Sequence, residues 1–362
     1  MKHKIISPFQ VLSLLAVFFV IAASGGDEVG VPDLNINQKL ILAAYNLNID
    51  EVKNLIAKGA DVNATFYKES NKSYNKLFMS KWTHGYSCVA HAWTALMAVA
   101  SSEKHPPPTK TYENTEQGGN ESLEDRKKIP QEMIIDRDNK RLAIAKILVE
   151  NGAMLDVEDG YGATALNEAI YLNYESLALY LIGKGAKVDL KVGIYIDGPS
   201  GITAVHRASG NPKILAALIN AGAKINVKDS TEDTPLHWAL REKNNFESIK
   251  LLVNAGADVN APDNRGNTPL HMAVRNRGAD VVKLLVEAGA DANAKNKDGK
   301  TPLLARWSVR ALTMMEGRVY GVYSTKRERE MKRYVEELSD DDKRIVDLLK
   351  KAGAIIEEKN KD

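Results

Sequence analysis

Three residues near the end of the first quarter of the chain have types that could support chemistry. His84, Cys88 and His91 are spaced four and three apart, which on a helix would place three soft metal ligands on one face. Gly85 and a helix start predicted at Thr94 instead favour a turn, and no acid or amide that would orient a nucleophilic thiol is recognisable nearby. We therefore expect no catalytic residue, metal or cofactor. A metal-dependent or thiol enzyme using this region is the alternative.

A second set of histidines belongs to a phrase that the chain repeats. Thr-Pro-Leu-His occurs at 234–237 and again at 268–271, and each copy leads to a Gly-Ala-Asp stretch that begins at Gly256 or Gly289. The two threonines are 34 residues apart and the two glycines 33. A chain that repeats itself at this period folds as a stack of similar small units.

Each copy carries the signals of two helices and a turn. A threonine hydroxyl caps the start of a helix and the following proline suits its first position, where a missing N–H has no consequence. Leu236 and Ala239 then lie at helical spacing, and a second apolar stripe precedes Gly256, a residue type that often ends helices in a left-handed conformation. Each unit is therefore predicted to be helix, short loop, helix and protruding turn. Such a unit buries its apolar sides only between neighbours.

The period and the Thr-Pro-Leu-His phrase resemble the ankyrin repeat family. The resemblance covers most of the chain from Gln38, with weaker copies of the motif at 94–97, 164–167, 203–206 and 301–304. It implies an all-α ankyrin-repeat solenoid of about seven helix-turn-helix units, spanning 38–362, with insertions at about 65–92, 101–130 and 306–338. It also implies that the motif histidines, His206, His237 and His271, are structural partners of the motif threonines and of nearby loops.

The resemblance further implies a non-enzymatic scaffold that binds another protein through a concave groove and its turn tips. The ten candidate partner-binding residues at matching positions are Tyr161, Tyr171, Arg241, Glu242, Asn264, Arg265, Arg275, Asn276, Lys300 and Trp307. Further matching positions are Ser230, Thr231, Asp233, Asn267 and Lys297. Aromatic and arginine side chains contribute most to binding energy at interfaces.

The N-terminus predicts export. Lys2 and Lys4 precede an apolar run at 11–23 and small residues at 24–26, the three parts of a signal peptide, which we place at 1–24. The repeats would then be periplasmic or secreted, or membrane-anchored if the segment is not cleaved. The chain has 49 basic and 47 acidic residues, so removal of two lysines leaves 47 of each. This balance predicts neither a nucleic-acid partner nor, after cleavage, a membrane partner.

Two helices are predicted beside the insertions. One resumes near Pro130 and runs toward Gly152. The other begins at Ser339, which has Asp342 three positions later in a capping-box-like pattern, and its apolar residues should pack on the sixth unit. The basic residues of 326–333 are answered by acids at 336–342, which favours a solvated helix face over a nucleic-acid contact.

Overall fold

A computed structural model describes residues 34–65, 94–102, 131–159, 161–193, 199–242, 245–276, 278–307 and 338–355, without the side chains of 131–134 and of Asn276. The predicted signal peptide, the three residues His84, Cys88 and His91, and nearly all of the three predicted insertions lie outside these ranges. The chain divides into two compact units, 1–190 and 191–362. Within the described ranges, no helix is both long enough and apolar enough to span a membrane.

Three helix pairs make up the described part of the first unit. They are α1 (Ile36–Tyr45) with α2 (Ile49–Ala57), α3 (Ala95–Ser101) with α4 (Gln131–Glu150), and α5 (Ala165–Tyr171) with α6 (Glu175–Gly183). The first helices pack in the order α1, α3, α5, and the second helices in the order α2, α4, α6. The long α4 confirms the predicted helix between Pro130 and Gly152.

The second unit continues the same pattern. Its helices are α7 (Ala204–Arg207), prolonged by a 3-10 turn at Ala208–Gly210, α8 (Pro212–Asn220), α9 (Pro235–Arg241), α10 (Phe246–Asn254), α11 (Pro269–Asn276), α12 (Ala279–Glu287), α13 (Pro302–Arg306) and α14 (Asp340–Lys351). First helices pack as α7, α9, α11, α13 and second helices as α8, α10, α12, α14. Across both units the described residues thus form seven helix pairs and, apart from one isolated bridge between Val192 and Ile202, no β-structure. The all-α fold of consecutive helix pairs is confirmed.

The helix ends follow the predicted signals. Thr234 and Thr301 are N-cap residues, each with proline at the first helical position. Gly256 and Gly289 adopt φ of +87° and +89°, the left-handed conformation predicted for helix ends. At the start of α14, the Ser339 hydroxyl accepts a hydrogen bond from the Asp342 N–H at 3.1 Å, which confirms the predicted cap.

The core lies between successive first helices and between successive second helices, which we call the two rows of helices. Leu236 and Ala239 of α9 are fully buried, as are their counterparts Leu270 and Ala273 of α11. The apolar side chains of α14 that are buried against α12 are Ile345, Val346 and Leu349. Because each inner helix pair packs against the pair before it and the pair after it, the loops between the pairs project from a packed base.

Candidate functional site

The motif histidines link the start of one first helix to the turn of the next pair. In α7, the Thr203 N–H donates to His206 Nδ1 at 3.2 Å, and the ring's Nε2 lies 3.2 Å from the carbonyl oxygen of Asp233. Because a backbone N–H can only donate, Nδ1 must be the acceptor and Nε2 carries the proton. In the equivalent rings, His237 Nε2 lies 3.3 Å from the carbonyl oxygen of Asn267, and His271 Nε2 lies 3.0 Å from that of Lys300.

Burial lowers the pKa of all three histidines, because desolvation disfavours the charged ring. Around His206, the Asp233 carbonyl and the carboxylates of Asp229 and Asp233 oppose this shift in pKa without cancelling it. The neutral ring is therefore the form that fits the fold, with both nitrogens occupied. The predicted structural role of the histidines is confirmed.

An asparagine between repeats makes a contact that the sequence did not predict. Asn260 donates from Nδ2 to the carbonyl of Gly289 at 3.0 Å and accepts at Oδ1 from the Asp291 N–H at 2.7 Å. Asn226 does the same one repeat earlier, and Asn293 does so with Gly353 and Ile355 of the last pair. The Asp258 side chain accepts from the Asn260 N–H within the turn, whereas the Asn260 side chain binds the neighbouring repeat, a role that residues of the turn alone do not indicate.

The turn tips of the second unit are held by one acidic or amide side chain each. Asp229 Oδ1 accepts from the N–H groups of Thr231 and Asp233, at 2.8 and 3.0 Å. Asp263 and Asn296 occupy the same position in the next two tips. Backbone hydrogen bonds join one tip to the next, from Asn264 to Thr231 at 3.1 Å and from Lys297 to Arg265 at 3.0 Å.

In the tip at 228–233, which we call the acidic tip, the carboxylates are paired with nearby donors and cations. Trp238 Nε1 donates to Asp229 Oδ2 at 2.9 Å, and Arg241 pairs with Asp233 at 2.6 Å. Lys228 pairs with Glu232 at 3.0 Å. Desolvation raises the pKa of Asp229, but hydrogen bonds from Thr231 and Trp238 outweigh it and the net pKa is lowered. The carboxylate of Asp229 is therefore a fixed part of the turn.

The two following tips expose cations instead. Arg265, Lys295, Lys297 and Lys300 are all exposed, and within the described residues none of them forms an ion pair. We call these four side chains, on the joined tips at 263–267 and 295–300, the basic tip surface. Their main chain is fixed by the tip hydrogen bonds, so the charges extend from a stiff base.

The predicted partner-binding residues of the second unit differ in solvent exposure. Six are exposed at first-helix ends or turn tips: Arg241, Glu242, Asn264, Arg265, Arg275 and Lys300. The side chain of Asn276 lies outside the described residues. Trp307 is only 2% exposed, with the guanidinium carbon of Arg306 4.7 Å from its ring centre, so its ring is inaccessible here.

In the first unit, the two tyrosines differ in exposure. Tyr171, at the end of α5, is 50% exposed. Tyr161 is half-buried in the turn before α5, where its N–H donates to Asp159 Oδ1 at 2.8 Å. Both residues therefore present ring surface at a turn or first-helix end of the unit to which they belong.

A buried arginine in the first unit was missed by the sequence reasoning. Arg141 of α4 is 1% exposed; its Nε donates to the Ser102 hydroxyl at 3.0 Å, and its guanidinium carbon lies 3.6 Å from the ring centre of Tyr174. The Tyr174 hydroxyl donates to the same Ser102, at its carbonyl. Desolvation lowers the pKa of Arg141, although the Asp138 carboxylate opposes it. This contact ties α4 to the end of α3, on either side of the predicted insertion at 101–130.

Residues 202–296 match the family model for ankyrin repeats, in three copies. Among solved structures, an ankyrin repeat domain from Acinetobacter baumannii AYE is 26% identical over 60% of this chain and 95% of its own, with a TM-score of 0.44. The ankyrin repeat domain of human ASB11 is 20% identical over 83% of this chain and 98% of its own, with a TM-score of 0.49.

The family match covers α7 to α12, and this part of the chain consists of ankyrin repeats. Ankyrin repeat domains are generally scaffolds that bind other proteins and carry no catalytic site. Within the described residues, no group of three or more His, Cys, Asp or Glu side chains is arranged to hold a metal ion. The predicted His84, Cys88 and His91 cluster lies outside those residues.

Proposed function

We propose that the protein is a non-enzymatic scaffold that binds a partner protein through exposed first-helix ends and turn tips. The observation that carries this proposal is the exposure of Arg265 on turn tips that are hydrogen-bonded to one another, and of Arg241 and Arg275 near the ends of the first helices α9 and α11. A backbone that is already rigid loses little conformational freedom when a partner binds, which favours affinity. In the first unit, Tyr171 and Tyr161 offer aromatic surface of the kind enriched at interfaces.

The chemistry of the described polar clusters supports a binding role over an enzymatic one. The buried histidines have both ring nitrogens engaged in holding the fold, as His206 illustrates. The most buried carboxylates of the acidic tip accept hydrogen bonds from their own turn. A catalytic acid or base needs a proton path to a substrate, and these groups direct their hydrogen bonds to the chain itself.

Replacement of two exposed arginines and the half-buried Tyr161 tests the proposal. The variant combining Tyr161→Ala, Arg241→Ala and Arg275→Ala should lose crosslinked partner from a native extract. Its circular dichroism melt should fall only slightly, because Arg241 loses an ion pair with Asp233 and Tyr161 is half-buried. A control combines Lys53→Ala, Lys146→Ala and Lys250→Ala, which are exposed on second helices. The proposal is wrong if the first variant captures the same partner as fully as the control does.

We propose also that the repeats act outside the cytosol. The support is the arrangement of Lys2 and Lys4 before an apolar run and small residues. N-terminal sequencing of the protein from its native host should give a mature chain that begins near Gly25. An intact N-terminus in a membrane fraction would instead indicate an anchored scaffold, and an intact N-terminus in the cytosol would exclude export.

A further inference from the structure

The basic tip surface is one rigid block. Lys297 donates its N–H to the Arg265 carbonyl, and Asn296 Nδ2 donates to Asn267 Oδ1 at 3.0 Å. The tips approach so closely that a Cβ added at Gly266 would lie 2.9 Å from the Lys297 nitrogen. Because the two turns are in backbone contact, the four cations of the surface extend from neighbouring points on one fixed framework.

Three arginines of the second unit have acidic partners, whereas the cations of this block have none among the described residues. Arg241 pairs with Asp233, Arg306 with Asp342 and Arg344 with Asp280. Among the described residues, no carboxylate lies within ion-pair distance of Arg265, Lys295, Lys297 or Lys300. The same block carries the acids Asp263 and Asp298, so four cations against two acids leave an excess of two positive charges. Asp263 is engaged by the N–H groups of its own turn.

The neighbouring acidic tip limits what kind of anion fits. The Asn264 N–H bonds to the Thr231 carbonyl, so the tip that carries Asp229, Glu232 and Asp233 is joined directly to the basic block. These three acids exceed their cationic partners Lys228 and Arg241 by one charge, so a long polyanion that crossed the basic block would continue over a tip of its own sign. A short run of carboxylates in a peptide, which ends where the acidic tip begins, meets no such repulsion.

We propose that an acidic segment of a partner protein, with several Asp or Glu side chains close together, docks on the basic tip surface. This inference rests on the proposed function and names the chemistry of its partner. Arg265 offers a planar pair of N–H donors to one carboxylate, and Lys297 and Lys300 supply point charges beside it. Exposed ion pairs of this kind steer association and are screened by salt.

Fluorescence anisotropy with a labelled short peptide of alternating glutamate and glycine tests the proposal on the full chain. The peptide should bind, and its affinity should fall at least about fivefold when NaCl is raised from about 0.05 to about 0.3 M. Reversal of three charges, in Arg265→Glu with Lys297→Glu and Lys300→Glu, should weaken binding about tenfold or more. A peptide of alternating lysine and glycine should not bind.

The matched control reverses three exposed lysines of second helices, Lys53→Glu, Lys146→Glu and Lys250→Glu, and makes the same change in net charge. It should keep most of the peptide affinity. The proposal is overturned if the peptide does not bind, if both variants lose affinity equally, or if an oligothymidine of matched charge binds more tightly than the peptide. Undiminished crosslinking of the native partner in any of these cases would leave the proposed scaffold function standing, whereas loss of capture only in the tip variant supports both.

Discussion

The acidic tip and the basic tip surface are built on the same turn and use their charges in opposite ways. In the acidic tip, Asp229 and Asp233 bind Trp238 and Arg241 of the helix that follows. In the basic tips, the side chain at the Asp229 position still holds the turn, but the remaining charged groups face solvent without an acidic partner among the described residues. The repeat backbone therefore does not decide which tip is available to a partner. The pairing of its side chains does.

The largest expected effect tests a feature that the acidic and the basic tips share, the contact from a buried histidine. Each tip is contacted by a buried histidine whose pKa is lowered by desolvation. The histidines of the unfolded chain therefore take up protons at a higher pH than those of the folded chain. The neutral buried rings stabilise the fold fully above about pH 6.5, and this stabilisation is lost as the pH falls toward the pKa of the folded state. Each histidine can lose at most about 1 kcal/mol between about pH 6.5 and 5.5, so the three together set an upper limit of about 3 kcal/mol on the loss of stability over this interval.

Urea unfolding at several pH values measures this loss. The matched variant replaces His206, His237 and His271 with asparagine, the residue that Asn167 provides at the same position in α5, where it accepts the Thr164 N–H at 3.1 Å. This variant should be less stable than the parent at pH 7.5 and should lose the histidine-dependent slope. An unchanged slope would mean that the rings do not titrate as their burial requires.

Removal of the turn-holding carboxylate compares the two tips directly. Asp229→Ala loses the two tip N–H contacts and the Trp238 contact, and should lower the free energy of unfolding by about 3 kcal/mol. Asp263→Ala loses two tip N–H contacts and the contact from Asn267 Nδ2 at 3.2 Å, but no tryptophan contact, and should lower it by about 2 kcal/mol. Trp238→Phe in the parent isolates the difference. If the two variants lost equal free energy of unfolding, the side-chain pairing of the acidic tip would not be stronger than that of the basic tip.

A glycine substitution tests how tightly the basic tips are joined. In Gly266→Ala, a Cβ would meet the Lys297 nitrogen at 2.9 Å, at a φ of +76°. Gly299 has φ of +74° and open space around its Cβ position, so Gly299→Ala adds backbone strain alone. We expect losses of about 2 and about 1 kcal/mol in urea unfolding. If the two variants were equally stable, the tips would separate more easily than the structure indicates.

The smallest expected effect is a gain in the acidic tip. Glu232 adopts φ of +61° at the turn position that glycine occupies as Gly266 in the next tip. Glu232→Gly relieves this strain and loses only the exposed ion pair with Lys228, so stability should rise by about 0.5–1 kcal/mol. Glu232→Ala, which removes the pair and keeps the strain, is the control and should be slightly less stable than the parent.

Local signals in the sequence predicted much of the fold. Thr-Pro helix starts, left-handed glycines such as Gly256 and the Ser339 cap depend on residues within a few positions of each other, and all are found. The role of the motif histidines was implied by the family resemblance and not by the residues alone. The match of 202–296 to ankyrin repeats agrees with the copies in which the motif is best preserved.

Contacts between distant residues could not be predicted in the same way. Arg141 and Ser102 are 39 residues apart, across a predicted insertion, and a lone arginine in a helix gives no sign of its partner. Trp307 is predicted to bind a partner because of its position in the repeat, but aromatic side chains are equally suited to a core. Which environment applies is decided by what packs around the end of α13, and no spacing rule encodes that.

The asparagines that grip the following repeat have a consequence for growth of the array. Asn260 binds both a donor and an acceptor of the next loop, so the loops help to fix the offset between neighbouring pairs in addition to the packed side chains beneath. A duplicated pair with its own asparagine would enter the series at the correct interval.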